Sequence, residues 1–347
     1  MMRLMVHATV AALCVSPLAS AFTNPIRTVN SSDPQMQWYN GSYYYLATAW
    51  SDVEVVSATT INGLKTAIPT VVYNDKTDPS RARNWWAPEM WRIDGRWYIY
   101  FATTVDAGDA WDVMIPSLTT WVLEGGTGNP LDTPFVAKGQ MKPANYHSGM
   151  LDSTVYEIEG QKYFLYSAIN STESPNGASI WIAKLLTPTS VDNATMIAYP
   201  TLDWEKSSAA ILEGPAGITS PDGTVYISYA ADDCNTPAYK LGTLRLTKGA
   251  DPLLAASWTK LPQPLLQTDE GLGLYGPGHN GFFKSPDGKE DWIVYHANRD
   301  AAGRCNEYRQ SFAQRVKWNA DGSLKLVPIG PDVEIKEPSG TVAGCHR

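Results

Sequence analysis

The chain has 347 residues, 35 acidic against 27 basic, for a formal net charge of −8. Lys and Arg form no basic stripe, which disfavours a nucleic-acid partner, and no segment after the N-terminal one is long and apolar enough to cross a bilayer. Aromatic residues are plentiful, with 13 Trp and 18 Tyr, a composition suited to pleated, half-buried strands and also to stacking on sugar rings.

Residues 1–21 read as a secretory signal: Arg3, an apolar run from Met5 to Val15, and the small residues Ala19-Ser20-Ala21. The expectation is a secreted, extracellular, soluble protein of residues 22–347 with no membrane partner. Sequons begin at Asn30, Asn40, Asn170 and Asn193, as in a secreted glycoprotein. Cys14 leaves with the signal, so Cys234, Cys305 and Cys345 remain. One bridge and one free thiol is the simplest count, and Cys234–Cys305 is the expected pair because Cys345 lies in the tail. No CxxC pair is present, which speaks against a zinc site.

The first strands follow at once. In SSDPQMQWYNGSYYYLAT, from Ser31, an aromatic run and an Asn40-Gly41 turn predict a β-hairpin behind an Asp-Pro pair. The pattern returns in EMWRIDGRWYIYFAT from Glu89, DSTVYEIEGQKYFLYSA from Asp152, EGPAGITSPDGTVYISYA from Glu213 and HNGFFKSPDGKEDWIVYHA from His279. Each unit has a polar head, a strand, a Gly-containing turn and a second, aromatic strand. A period of roughly sixty residues with several strands per unit predicts an all-β, five-bladed β-propeller that uses the whole mature chain as one domain. Gly271-Leu272-Gly273-Leu274-Tyr275-Gly276 fits GxGxxG by spelling, but it follows no clear strand and opens no helix, so a dinucleotide site is not expected.

The innermost strand of each propeller blade lines the central channel. If each head (Asp33, Glu89, Asp152, Glu213, His279) sits at one end of that strand, the five converge. Converging carboxylates repel and lose solvation, and glycoside hydrolysis needs such a pair, one ionised and one protonated. Apolar neighbours in Leu212-Glu213-Gly214-Pro215 suit Glu213 to the protonated role.

Taken together, Ser32-Asp33-Pro34, Trp86-Ala87-Pro88-Glu89, Leu151-Asp152-Ser153-Thr154, Glu213-Gly214-Pro215 and Gly276-Pro277-Gly278-His279-Asn280 resemble glycoside hydrolase family 43, inverting enzymes on a five-bladed propeller. The motifs occur in family order. The resemblance implies that Asp33 is the general base, Glu213 the general acid, and Asp152 the third carboxylate that orients the acid and raises its pKa. The family's usual Ile-Asp-Pro is Leu151-Asp152-Ser153 here. The resemblance also implies substrate contacts from Trp86, Arg309 and His279, a blade-packing alternative standing beside Trp86 and a salt-bridge alternative beside Arg309. Glu89 reads as structural. In relatives the central histidine holds a water around a calcium or sodium ion, so His279 is the candidate for a structural metal reached through water; the chemistry itself requires no cofactor. The stretches NGLKTAIPTVVYND, WWAPEMWRIDGRWYIYFAT and CNTPAYKLG resemble the exo-acting α-1,5-L-arabinofuranosidases of the family. The expected partner is a plant cell-wall polysaccharide or oligosaccharide, with the protein as a monomer. The alternatives are another family specificity (β-xylosidase, endo-arabinanase or galactan-cleaving), a non-catalytic sugar-binding propeller, and a retaining enzyme of the sucrose–fructan type, whose central Arg-Asp-Pro is not found.

Overall fold

The computed structural model describes residues 21–108, 110–145, 148–169 and 177–341. Nearly all of the signal segment, the Asn170 sequon, His147 and Cys345 lie outside the described residues.

Five sheets follow one another along the chain, each an antiparallel meander. Blade 1 comprises Ser32–Tyr39, Ser42–Thr48, Val53–Ala58 and Thr70–Tyr73. Blade 2 comprises Arg83–Ile93, Arg96–Thr104, Thr119–Glu124 and Val136–Met141. Blade 3 comprises Met150–Ile158, Gln161–Ile169, Ala178–Thr187 and Ser190–Ala198. Blade 4 comprises Leu212–Thr219, Val225–Ala231, Lys240–Leu246 and Trp258–Lys260. Blade 5 has three strands, Tyr275–Lys284, Asp291–Asn298 and Gln310–Arg315. This is the predicted five-bladed propeller. The Asn40-Gly41 turn has φ of 44° and 91°, the left-handed pair a type I′ hairpin requires.

The aromatic runs are explained by the two neighbours each blade has. Successive side chains of a strand point to opposite faces. In blade 1, Tyr43 and Tyr45 therefore enter the core shared with blade 5, while Tyr44 and Leu46 enter the core shared with blade 2. In blade 2, Trp97, Ile99 and Phe101 face blade 1, and Tyr98 and Tyr100 face blade 3. A strand covered on both faces reads as a continuous apolar run instead of an alternation.

The ring closes through the N-terminus. Ile26 N–H donates to the Ser311 carbonyl at 2.8 Å and Ser311 N–H to the Arg27 carbonyl at 3.0 Å, along the outer strand of blade 5. The Asn24 side chain exchanges two hydrogen bonds with Ala313, and Ala21–Thr23 pairs with Glu334–Lys336. Cys234 and Cys305 form the expected disulfide, with Cα atoms 5.2 Å apart. Among the sequons, Asn40 and Asn193 are exposed and Asn30 is half-buried. The GxGxxG-like stretch runs from a short 3₁₀ turn into the first strand of blade 5, with no helix after it.

Candidate active site

Each inner strand is interrupted by a β-bulge at a repeated position, where one residue lies in the left-handed region: Asp33 (φ 55°), Ala87 (44°), Asp152 (53°), Gly214 (56°) and His279 (38°); blades 2 and 5 carry a second irregularity, at Asn84 (59°) and Gly276 (54°). Bulges re-aim side chains, and non-glycine residues held at positive φ cluster at functional sites. The repeat is thus sharper in the backbone than in the five polar heads, and it corrects them. Asp33, Asp152 and His279 occupy the repeated position. Glu213 precedes it by one residue and Glu89 follows it by two, so those two point elsewhere from the same kind of strand.

Three of the five bulges are tied to the blade before them. Asp33 N–H donates to His296 Nδ1 at 2.9 Å, Ala87 N–H to Thr48 Oγ1 at 2.8 Å, and Gly214 N–H to Ser167 Oγ at 3.2 Å. In each case the acceptor lies on the second strand of the preceding blade. Ala102 and Ala230 hold the matching positions in blades 2 and 4.

Asp33 is 9 % exposed. Thr48 Oγ1 donates to its Oδ2 at 2.6 Å, and Arg309 Nη2 stands 3.3 Å from its Oδ1. His279 Nδ1 and His296 Nδ1 lie 3.3 and 3.4 Å from Oδ1. Burial pushes this carboxyl up, but Arg309, the two histidines and Thr48 outweigh it and hold the group below the ordinary carboxylate range. Burial pushes both imidazoles down. His296 moreover faces an N–H donor at each nitrogen, Asp33 N–H and Arg309 Nη1 at 3.0 Å, where a protonated ring would point hydrogens at hydrogens. Arg309, a permanent cation, is the largest of the charges that keep Asp33 ionised. Arg309 is 4 % exposed and also donates through Nε to Ser32 Oγ at 2.9 Å. Its immediate partner in the fold is therefore the candidate base.

Glu213 lies in a different setting. It is half-buried, and the Tyr239 hydroxyl donates to its Oε1 at 2.6 Å. Burial raises its pKa, the Tyr239 hydrogen bond offsets part of that, and the negative Asp33 adds to it, leaving the group at about 7. Asp152 lies between the two. Its Oδ2 accepts from Gly214 N–H at 3.2 Å and stands 3.9 Å from His279 Nδ1. Burial, then the charges of Glu213 and Asp33, push it well above the usual carboxylate range. Gly214 permits this approach: a Cβ there would stand 2.8 Å from the His279 ring.

Trp86 is half-buried against Leu118 and Leu151 and stands edge-on to Trp50, centroids 6.4 Å apart. Glu89 is held apart on the blade 2–3 side, accepting from Trp91 Nε1 at 2.9 Å; burial raises it to about 7, partly offset by the Thr154 and Trp91 hydrogen bonds. Sequence reasoning gave no role to Tyr239, His296, Thr48 or Trp50. The first three fall inside the stretches quoted above, but nothing in their spelling marks a contact. Among the described residues no three His, Cys, Asp or Glu side chains are grouped as metal ligands. The nitrogen of one histidine is a poor site for the oxygen-seeking calcium or sodium ion.

Two carboxyl groups in one cluster, Asp33 paired with a guanidinium and lowered, Glu213 buried and raised to about 7, on a five-bladed propeller, have the contrast a glycosidase acid–base pair needs. The family 43 model of the glycosyl hydrolases matches residues 22–324, and the chain belongs to that family. It is 38 % identical over 338 residues to an extracellular exo-alpha-(1->5)-L-arabinofuranosidase of Streptomyces avermitilis, covering 94 % of this chain and 67 % of that one. It is 31 % identical to alpha-L-arabinofuranosidase 43 of Humicola insolens, covering 98 % and 70 %. The crystal structure of an alpha-L-arabinofuranosidase from Lactobacillus brevis superposes with a TM-score of 0.81 at 27 % identity, covering 90 % of this chain and 98 % of that one.

Proposed function

We propose that the protein is a secreted, inverting exo-α-L-arabinofuranosidase that removes terminal α-L-arabinofuranosyl units from arabinan and arabino-oligosaccharides. The observation that carries the reading is the geometry of the cluster, with Asp33 paired to Arg309, Glu213 bonded to a phenol, and Asp152 on the N–H of Gly214 beside it. Ionised Asp33 takes a proton from a water that attacks the anomeric carbon. Protonated Glu213 gives its proton to the departing glycosidic oxygen. Asp152 and Glu213 repel when both are ionised, which keeps a proton on the pair, and Asp152 holds Gly214, the residue next to the acid. Trp86 contributes an apolar wall to the sugar pocket, and Arg309 and His279 fix the base beside the bound sugar. A calcium or sodium ion at the channel would meet His279 through water, and no step depends on it. Support for the sugar comes from the relatives, named for exo-acting arabinofuranosidase activity.

The test has two arms. Proton NMR of the first-formed arabinose reports stereochemistry; the β anomer is expected, and retention of α would discard the mechanism. Glu213→Ala is then compared on arabinan and on an aryl arabinofuranoside whose leaving group needs no acid. A loss of about 10²- to 10⁴-fold is expected on arabinan, with a much smaller loss on the aryl substrate. Equal losses would remove Glu213 from the role of acid. Arabinose as sole early product from linear arabinan separates exo from endo action.

A further inference from the structure

We propose that Tyr239 is a positioning residue that sets the acid Glu213 and couples it to the base side of the site, an inference that rests on Glu213 being the acid. Tyr239 immediately precedes the third strand of blade 4, Lys240–Leu246, and reaches across to blade 5. It is 1 % exposed, and a tyrosine hydroxyl so buried must find a polar partner. That partner is Glu213 Oε1, at 2.6 Å. The ring lies flat on His296, centroids 5.7 Å apart and planes 3° from parallel. His296 in turn accepts from Asp33 N–H and contacts Arg309. One side chain thus touches the acid through its hydroxyl and the support of the base through its face.

The surroundings are built to seat it. A Cβ on Gly278 would stand 2.1 Å from the Tyr239 ring, so the glycine before His279 leaves the space the phenol fills. Gly303 lies against the backbone of Thr236 and Pro237, where a Cβ would meet Thr236 C at 2.4 Å. Cys234–Cys305 joins the segment leading into Tyr239 to the segment leading into Arg309. The hydroxyl donates to the carboxylate form of Glu213, so it stabilises the anion and restrains the rise that burial imposes. Burial and the Glu213 charge keep the phenol itself protonated.

The test is Tyr239→Phe, which keeps the ring on His296 and deletes the hydroxyl. The basic limb of kcat/KM on arabinan reports protonated Glu213. Without the hydroxyl the acid titrates higher, so this limb is expected to move to higher pH. The rate on arabinan is expected to fall about tenfold, as for loss of one hydrogen bond to an ionisable group. The rate on an aryl arabinofuranoside with a good leaving group should change far less. Gly278→Ala, which displaces the ring from its seat, should give the same split between substrates. A basic limb at the wild-type pH in Tyr239→Phe, or equal losses on both substrates, overturns the inference. Glu213→Ala measured in parallel separates the two failures. If Glu213→Ala shows the leaving-group split and Tyr239→Phe does not, only the tyrosine's role falls. If Glu213→Ala shows no split, the acid assignment falls and takes the tyrosine's role with it.

Discussion

The proposed base side and the proposed acid side of the cluster are built from the same backbone device and opposite electrostatics. Asp33 and Glu213 both stand at the bulge of an inner strand, in blades 1 and 4. Asp33 is met by a guanidinium, two imidazoles and a threonine hydroxyl, whereas Glu213 accepts a hydrogen bond from a neutral phenol. The propeller therefore needs no special strand for acid or base. It repeats one kinked strand. Burial raises Glu213 and the Tyr239 hydroxyl limits that rise, while Arg309, from the loop of blade 5, holds Asp33 ionised.

The comparison breaks most completely at Asp33. Asp33→Asn keeps the shape and removes the base, and activity on arabinan and on an aryl arabinofuranoside should both fall about 10²- to 10⁴-fold. Survival of the aryl reaction would show that Asp33 is not the base. Next in size is Arg309→Met, which leaves Asp33 buried without its cation. The pKa of Asp33 should then rise, so the acidic limb of the rate profile should move to higher pH, with a loss of about 10²-fold at its optimum. Stability should follow the same sign. A carboxyl whose folded pKa is depressed stabilises the fold above its unfolded value, and the contribution is lost as pH falls through the folded value. The drop in Tm of Arg309→Met relative to wild type should therefore be larger at pH 7 than at pH 3. An equal drop at both would mean that Arg309 acts by packing alone.

The fold and the three carboxylates were legible in the sequence because the repeat is written in strand pattern and turn residues, which are local. Asp33 and Asp152 share a spelling with their bulges, an acid followed by Pro34 or Ser153. The Glu89 head was misaligned for the same reason. Trp86-Ala87-Pro88 matches Ser32-Asp33-Pro34 at the proline, and the residue at the bulge is Ala87, which carries no polar group to notice. What stayed hidden depends on contact between blades. Nothing local distinguishes Tyr239 from the other tyrosines of this chain; its role comes from the gap at Gly278 and from His296, both on the next blade. Thr48 and Ser167 look like ordinary strand residues until the bulge N–H of the following blade is seen to need an acceptor.

A smaller effect is expected from the staple. The double variant Cys234→Ser, Cys305→Ser releases a cross-link spanning 71 residues of sequence, and about 2–4 kcal/mol of stability should go with it. Because the two segments it joins carry Tyr239 and Arg309, the change should also lower activity, at temperatures well below the melt. Unchanged kcat there would confine the disulfide to stability.

The smallest and most diagnostic effect is a gain. Asp152 is buried and raised by burial and by the charges of Glu213 and Asp33, so its ionisation opposes folding. For an acid with a raised folded pKa, the penalty is absent below the unfolded value near 4. It grows as pH climbs from there toward the folded value. Asp152→Asn keeps an oxygen to accept from Gly214 N–H and removes the charge. It should lose activity on arabinan, yet melt about 2–5 °C higher than wild type at pH 8, with no gain at pH 4. Such a crossover would show that Asp152 carries a burial and charge penalty the fold tolerates for function. A variant equal to wild type at both pH values would mean that solvent reaches Asp152 well enough to relieve the charge, and the opposition between the two sides would then rest on the burial of Glu213 and on Arg309.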